Sequence, residues 1–259
     1  MLGNKFLTVN SVKCGELILP FSSLNDRLCN FVRSVVLEAD DPIISGSLGR
    51  TGSSTLVRLA NRNYICLTKH ELKDSELSHV RIVSGFGGKL ENVTFDSCIY
   101  PSGDWAKDEE FSDILLLHAH KQSSDSNCDY IHFFPVRKFS REKIFASLIV
   151  ACPFYPNNFA IDYETGVTTH YHQTTVVRDC TWDDEFSSHA KYLERFNYIP
   201  KEKYPENGMS GGAVFSIVDI DGNLEVFLHG IIVRAGNGKL SVVSADFLLS
   251  FRDESVRKQ

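Results

Sequence analysis

The sequence predicts an all-β protein built from two small antiparallel barrels. From about residue 50 onward the chain breaks into short apolar or alternating runs, rich in β-branched and aromatic residues and punctuated by Gly, Asn, Asp and Ser. That is the signature of strands and tight turns. The runs fall into two sets that part near Ser140, and 259 residues at 42% hydrophobic composition can bury a substantial core, as one two-barrel unit or as two small domains.

The elements follow in order. Residues from Ser22 to about Ala39 read as a helix, since Leu24, Leu28, Phe31, Val32 and Val35 recur at helical spacing behind Ser22 and Ser23, which suit a cap. This helix closes an N-terminal extension, residues 1–40, and its apolar stripe is expected to pack on a barrel. The first barrel, residues 41–140, takes its strands from Thr55 to Leu59, Tyr64 to Leu67, Val80 to Val83, Val93 to Tyr100, Ile114 to His118 and Ile131 to Phe134. The second, within residues 141–259, takes Ala146 to Pro153, Thr174 to Arg178, Gly212 to Val218, Val226 to Val233 and Leu240 to Val243. Arg252 to Gln259 is a charged tail expected to fray.

A net charge of −6, with no basic patch interleaved with aromatics, gives no support for nucleic acid as a partner. The seven cysteines, at 14, 29, 66, 98, 128, 152 and 180, are odd in number and lack paired spacing, and Cys66 and Cys152 lie in apolar strands. Reduced thiols are therefore expected. With no apolar signal core after Met1-Leu2-Gly3 and no long apolar run, the expectation is a soluble cytoplasmic protein that needs no membrane.

Three segments carry chemistry. Gly208-Met209-Ser210-Gly211-Gly212 places a serine in a glycine-rich turn before an apolar strand. Acyl transfer needs a nucleophile at such a turn with bare backbone N–H groups beside it, and Gly208 and Ser210 are the candidate oxyanion donors. Tyr64 to Thr68 is an apolar strand that delivers His70 at its end, where a general base belongs; His79 is a competitor without such a strand. Asp113 runs directly into Ile114-Leu115-Leu116-Leu117, a buried-strand pattern in which a carboxylate is costly unless paired. An imidazole N–H is a suitable partner. His70 and Asp113 fall in the first set of strands and Ser210 in the second, so the three would meet in a cleft between barrels.

Together these pieces resemble the trypsin-like, chymotrypsin-fold serine proteases, closer to intracellular and HtrA-type members than to secreted trypsin. The resemblance rests on Gly46-Ser47-Leu48-Gly49-Arg50-Thr51-Gly52-Ser53-Ser54-Thr55, Leu67-Thr68-Lys69-His70, Asp113-Ile114-Leu115-Leu116, Gly208-Met209-Ser210-Gly211-Gly212 and His229-Gly230-Ile231-Ile232-Val233, and spans roughly residues 41–252. It implies two six-stranded Greek-key barrels, a short closing helix over Ala245 to Phe251, and a serine endopeptidase with His70, Asp113 and Ser210 as its triad. Peptide substrate is expected to lie along Val233, Arg234 and Ala235, with Tyr204, Glu206 and Asn207 among the pocket walls and no cofactor or metal required.

Departures from secreted trypsins shape the expectation. Met209 stands where those enzymes carry the aspartate that pairs with a freshly cut N-terminus, so activity without zymogen clipping is expected. Glu71 stands where they carry a cysteine. Tyr204 occupies the position that cleavage after Arg or Lys would want acidic, although Glu206 offers a nearby charge; Arg234 suggests an acidic neighbour in the substrate. Without zymogen chemistry, narrow specificity or a regulatory protein partner is the expected restraint. His118-Ala119-His120 and His170-Tyr171-His172 each pair two imidazoles on one side of a strand but lack a third ligand at metal spacing. Two rivals stand beside the protease. An α/β-hydrolase shares the Gly-x-Ser-x-Gly turn, but only Asp219 or Asp221 and then His229 follow Ser210, with too little chain for the intervening βα units. The other is a protease-shaped binding module without turnover.

Overall fold

The computed structural model describes residues 11–38, 48–72, 77–86, 89–119, 133–154, 171–179, 190–199 and 206–250. Strands β1 (Ser11–Cys14) and β2 (Leu17–Pro20) form a hairpin, followed by helix α1 (Leu24–Cys29) and strand β3 (Val32–Glu38). The helix expected from Ser22 to about Ala39 is thus confined to its first turns. Leu24 and Leu28 are buried as the helical pattern requires, but Val32 through Val36 are buried one after another, on both faces of a strand. A strand covered on both sides shows no alternation and leaves its period ambiguous, and β-branched Val32, Val35 and Val36 favour the extended form.

The first half continues through β4 (Leu48–Leu59), β5 (Arg62–Thr68), β6 (Val80–Phe86), β7 (Lys89–Asn92), β8 (Phe95–Ile99), the four-residue helix α2 (Glu109–Ser112), β9 (Ile114–Ala119) and β10 (Phe134–Pro135). Its sheet runs β7-β6-β3-β4-β5-β9-β8, with β10 parallel to β4. Among the described residues no pairing joins its two edge strands, so this half is an open, curled half-barrel where a closed one was expected. Leu56, Ile65, Leu67, Ile82, Leu115 and Leu117 fill its interior.

The second half holds β11 (Ile144–Ala151), β12 (His172–Arg178), β13 (Leu193–Asn197), β14 (Ala213–Ile220), β15 (Asn223–Gly236) and β16 (Lys239–Ser244). These run β14-β11-β12-β13-β16-β15 and close through β14–β15 into a six-stranded antiparallel barrel, and β1 adds to β15 in parallel. Ile149, Phe196, Met209, Val214, Ile232 and Val242 lie in its core. Residues 245–250 form the short closing helix α3.

A third apolar cluster joins the halves. Phe31 of the first half and Phe134 stack edge-on at 5.1 Å, and Phe134 meets Phe215 of the second at 5.1 Å. Another aromatic knot, Trp105, Phe111 and Phe247, with centroids 4.8 to 5.2 Å apart, ties α2 to α3. Of the seven cysteines, the five that are described are free thiols; Cys14, Cys66 and Cys152 are buried, and burial pushes Cys14 up to about 11. Cys128 and Cys180 lie outside the described residues. No helix among the described residues is long and apolar enough to cross a membrane.

Candidate active site

Sheet register brings His70 and Asp113 together. Antiparallel pairing of β5 with β9 sets Thr68 opposite Ile114, so residues just after one strand and just before the other share an end of the sheet. His70 sits in the 3-10 turn Lys69–Leu72 that ends β5. Asp113 caps the C-terminus of α2, whose N-cap Asp108 accepts from the Glu110 and Phe111 N–H groups. The His70 Nδ1 lies 2.6 Å from Asp113 Oδ2, the His70 backbone N–H donates to Asp113 Oδ1 at 3.0 Å, and the Lys69 N–H donates to the Asp113 carbonyl at 2.7 Å. Three contacts to one residue hold the ring and its carboxylate in register. The imidazole remains half-exposed, at 48% of its side-chain area, while Asp113 is at 17%.

Ser210 comes from the other half, in the turn before β14, yet its loop is stitched to β4. The Ser53 N–H donates to the Ser210 carbonyl at 3.0 Å, the Ser53 hydroxyl to the Gly208 carbonyl at 2.6 Å, and the Thr55 hydroxyl to the Gly211 carbonyl at 2.8 Å. The Cys152 N–H in turn donates to Ser53 Oγ at 2.8 Å, which makes this buried hydroxyl a node between the halves. Glycine is required at two points. Gly208 has φ +81° and a Cβ there would lie 2.5 Å from the Phe154 ring; Gly211 has φ +80° and its Cβ would lie 1.9 Å from the Ser53 carbonyl oxygen.

Among the described residues, neither the Gly208 nor the Ser210 N–H donates to a protein acceptor, which leaves two neighbouring donors beside the hydroxyl. The Ser210 hydroxyl, 8% exposed as a residue, donates to the Val233 carbonyl at 3.3 Å, and no hydrogen bond joins it to His70. The other imidazole nitrogen, Nε2, faces Glu71 Oε1 at 3.5 Å. Hydrogen bonding to Asp113 and then to Glu71, against the opposing pull of burial, pushes the His70 imidazole up to about 10.

The expected pocket residues have distinct surroundings. Glu206 accepts from the Tyr198 hydroxyl and from the Asn237 and Gly238 N–H groups at 2.9 and 3.1 Å, so both carboxylate oxygens clamp the β15–β16 turn. Burial alone would raise this carboxyl, but the Tyr198, Gly238 and Asn237 hydrogen bonds hold it below the usual value. The Asn207 carbonyl accepts from the Phe154 N–H at 3.1 Å. Arg234 reaches across to α2, where it pairs with Glu109 and lies 3.8 Å from Glu110. Ala235 pairs with Leu240 inside the sheet. Tyr204 lies outside the described residues, as do His120 and His170. His118 Nδ1 contacts Asp96 at 2.8 Å and His172 is buried. Sequence reasoning missed Ser53 and Thr55 as the clasp of the serine loop, although hydroxyls at alternate positions of one strand were a visible signal. It also noted Glu71 only as a replacement for cysteine.

Sequence comparison matches no family model and no curated protein. The fold is similar to the crystal structure of protease Anisep from Arthrobacter nicotinovorans, with a TM-score of 0.52 at 11% identity over 87% of this chain and 95% of that one. At such identity the likeness is one of fold: the chain is an all-β double barrel of the chymotrypsin-like kind.

Proposed function

We propose that this protein is a serine endopeptidase acting through His70, Asp113 and Ser210. The observation that supports it best is the His70–Asp113 pair at 2.6 Å, combined with a serine loop whose Gly208 and Ser210 N–H groups lack protein acceptors among the described residues. In this reading Asp113 holds the proton on Nδ1, so that Nε2 takes the Ser210 proton as Oγ attacks the scissile carbonyl. The Gly208 and Ser210 N–H groups receive the oxyanion. Nε2 then protonates the leaving amine, and water, activated by the same imidazole, releases the acyl-enzyme. Neither metal nor cofactor enters this scheme.

Substrate peptide is assigned to the strand edge at Val233, Arg234 and Ala235, between walls that include Tyr204, Glu206 and Asn207. A peptide N–H donated to the Val233 carbonyl would displace the Ser210 hydroxyl that rests there and free it to turn to His70. Met209, 1% exposed among Val214, Ile232 and Tyr198, anchors the loop by apolar packing, which supports activity without N-terminal clipping. The domain division at residues 1–40, 41–140 and 141–259, an HtrA-like kinship, a cytoplasmic setting for the free thiols and restraint by a protein partner belong to the same proposal.

A second reading is a protease-shaped binding module, and the Ser210 hydroxyl directed at Val233 instead of His70 favours it. A fluorophosphonate probe separates the two. The endopeptidase labels at Ser210 and loses labelling in Ser210→Ala, and mapping of cleaved termini in a proteome with wild type against that variant reveals its substrates. A folded protein that never labels and generates no new termini sinks the enzymatic reading.

A further inference from the structure

Glu71 is a carboxylate that the catalytic scheme does not use, and its placement is unusual. It follows His70 directly, is 8% exposed, and its contact among the described residues is the 3.5 Å approach of Oε1 to His70 Nε2. That is the nitrogen required to receive the serine proton. The side chain lies in a seat that a missing side chain provides: a Cβ on Gly52 would lie 2.7 Å from Glu71 Cγ and Cδ and 3.1 Å from Oε2. Gly52 immediately precedes Ser53, whose hydroxyl and N–H hold the serine loop. One short strand segment therefore seats both the serine loop and the carboxylate that faces the base.

Resting on the serine-hydrolase reading, we propose that Glu71 is a built-in restraint, a positioning residue that holds the Nε2 edge of His70 in the resting protein and keeps the base from Ser210 until the cleft is engaged. With Asp113 on one ring nitrogen and Glu71 on the other, the imidazole is stabilised in its doubly protonated form, which cannot accept a proton. The serine is disengaged in the same state, since its hydroxyl donates to Val233. Release returns the Nε2 proton to solvent and leaves a neutral ring that can receive the proton of Ser210. The charges acting on the ring are Asp113 and Glu71. Of the other charged groups nearby, Lys69 lies over the Tyr100 ring at 5.6 Å, and Glu109 and Glu110 of α2 face Arg234 of β15.

The restraint also answers a question posed by Met209. An enzyme of this fold that needs no N-terminal cut must be held back in another way, and a carboxylate on the base is reversible.

The test is a titration of the His70 ring nitrogens by 15N NMR, combined with fluorophosphonate labelling of Ser210 across pH, in wild type and Glu71→Gln. In labelling, the Ser210 oxygen bonds to phosphorus, fluoride leaves and the hydroxyl proton passes to Nε2. The wild-type ring is expected to titrate well above the ordinary histidine value. In Glu71→Gln the midpoint falls far enough to raise the neutral fraction at pH 7 at least about tenfold, and labelling at pH 7 rises in proportion. A wild-type ring that titrates near the ordinary value overturns the restraint without any variant. Labelling of both proteins at equal rates, or slower labelling of Glu71→Gln, overturns the restraint and leaves the hydrolase reading standing. Absence of labelling in both proteins at every pH overturns the hydrolase reading and the restraint with it.

Discussion

The protein holds two His-carboxylate pairs, one proposed to work with Ser210 and one bonded to Ser216, and they have opposite surroundings. Asp113 and His70 meet at the rim of the sheet, with the ring half-exposed and Ser210 on a loop from the other barrel. Inside the second barrel, Ser216 Oγ lies 2.7 Å from His229 Nδ1, and His229 Nε2 lies 3.1 Å from Glu194 Oε2. With the proton on Nε2, Ser216, His229 and Glu194 stand in the order proposed for Ser210, His70 and Asp113. Yet His229 and Glu194 are at 0% and 3% side-chain exposure, Ser216 also meets Ser147 at 2.9 Å, and Arg141 and Arg178 each approach Glu194 at 2.8 Å. Ser216 is itself 0% exposed, in a strand paired on both sides. The inner set is a buried ion-pair cluster in which Glu194 is approached by His229, Arg141 and Arg178. The rim set has access, a turn held by glycines and free N–H groups. Access and available backbone donors, more than residue types, separate the set proposed for catalysis from the buried one.

The largest predicted contrast lies at the rim. Asp113→Asn should lower turnover by about four orders of magnitude with the melting temperature little changed, as peptide hydrolysis and calorimetry would show. A loss below tenfold would remove Asp113 from its role and point to another acid, such as Asp96 or Asp104, which pair with His118 and Lys107. Glu194→Gln is the converse case: it should cost about 3 kcal/mol of stability in denaturant titrations while each folded molecule labels normally. Burial would raise the Glu194 carboxyl, but His229, Arg141 and Arg178 hold it below its usual value. A lowered carboxyl stabilises the fold above the ordinary carboxylate range and loses that contribution as pH falls through the depressed value. Acid unfolding should therefore be shallower in Glu194→Gln; an unchanged acid limb would mean that the cluster does not couple to folding. Ser53→Ala sharpens the comparison from between the two sets. It removes the acceptor of the Cys152 N–H and the donor to the Gly208 carbonyl, should cost about 2 kcal/mol, and should slow labelling as well, because the same hydroxyl supports the fold and seats the serine loop. A purely thermodynamic effect would show that the loop holds its shape without the clasp.

Much of this was legible in the sequence. The apolar runs that became β5, β9, β11, β14 and β15 were readable because continuous or alternating patterns of β-branched residues leave little choice of period. The rim pair was readable for a related reason, since a strand end fixes where His70 must point and a strand start makes Asp113 expensive to leave unpaired. What resisted was set by distant partners. The strand over Val32–Glu38 reads as helix because burial of both its faces, Val32 in one apolar cluster and Val35 in another, erases its alternation. Short β7 and β13 carry charged residues that gave no apolar signal. The roles of Glu71 and Ser53 are not legible in the sequence because they depend on contacts with His70 and the Gly208 loop, which no local pattern encodes.

Because Ser53 and Thr55 grip the Ser210 turn from across the seam, the alignment of that turn is shared property of both halves. A chain divided at the linker near Ser140 would yield fragments in which Ser210 and its grip are on separate molecules. Reassembly of the two pieces and recovery of an ordered serine would then be a single event, so that the ordering of this one turn would report whether the halves are mated.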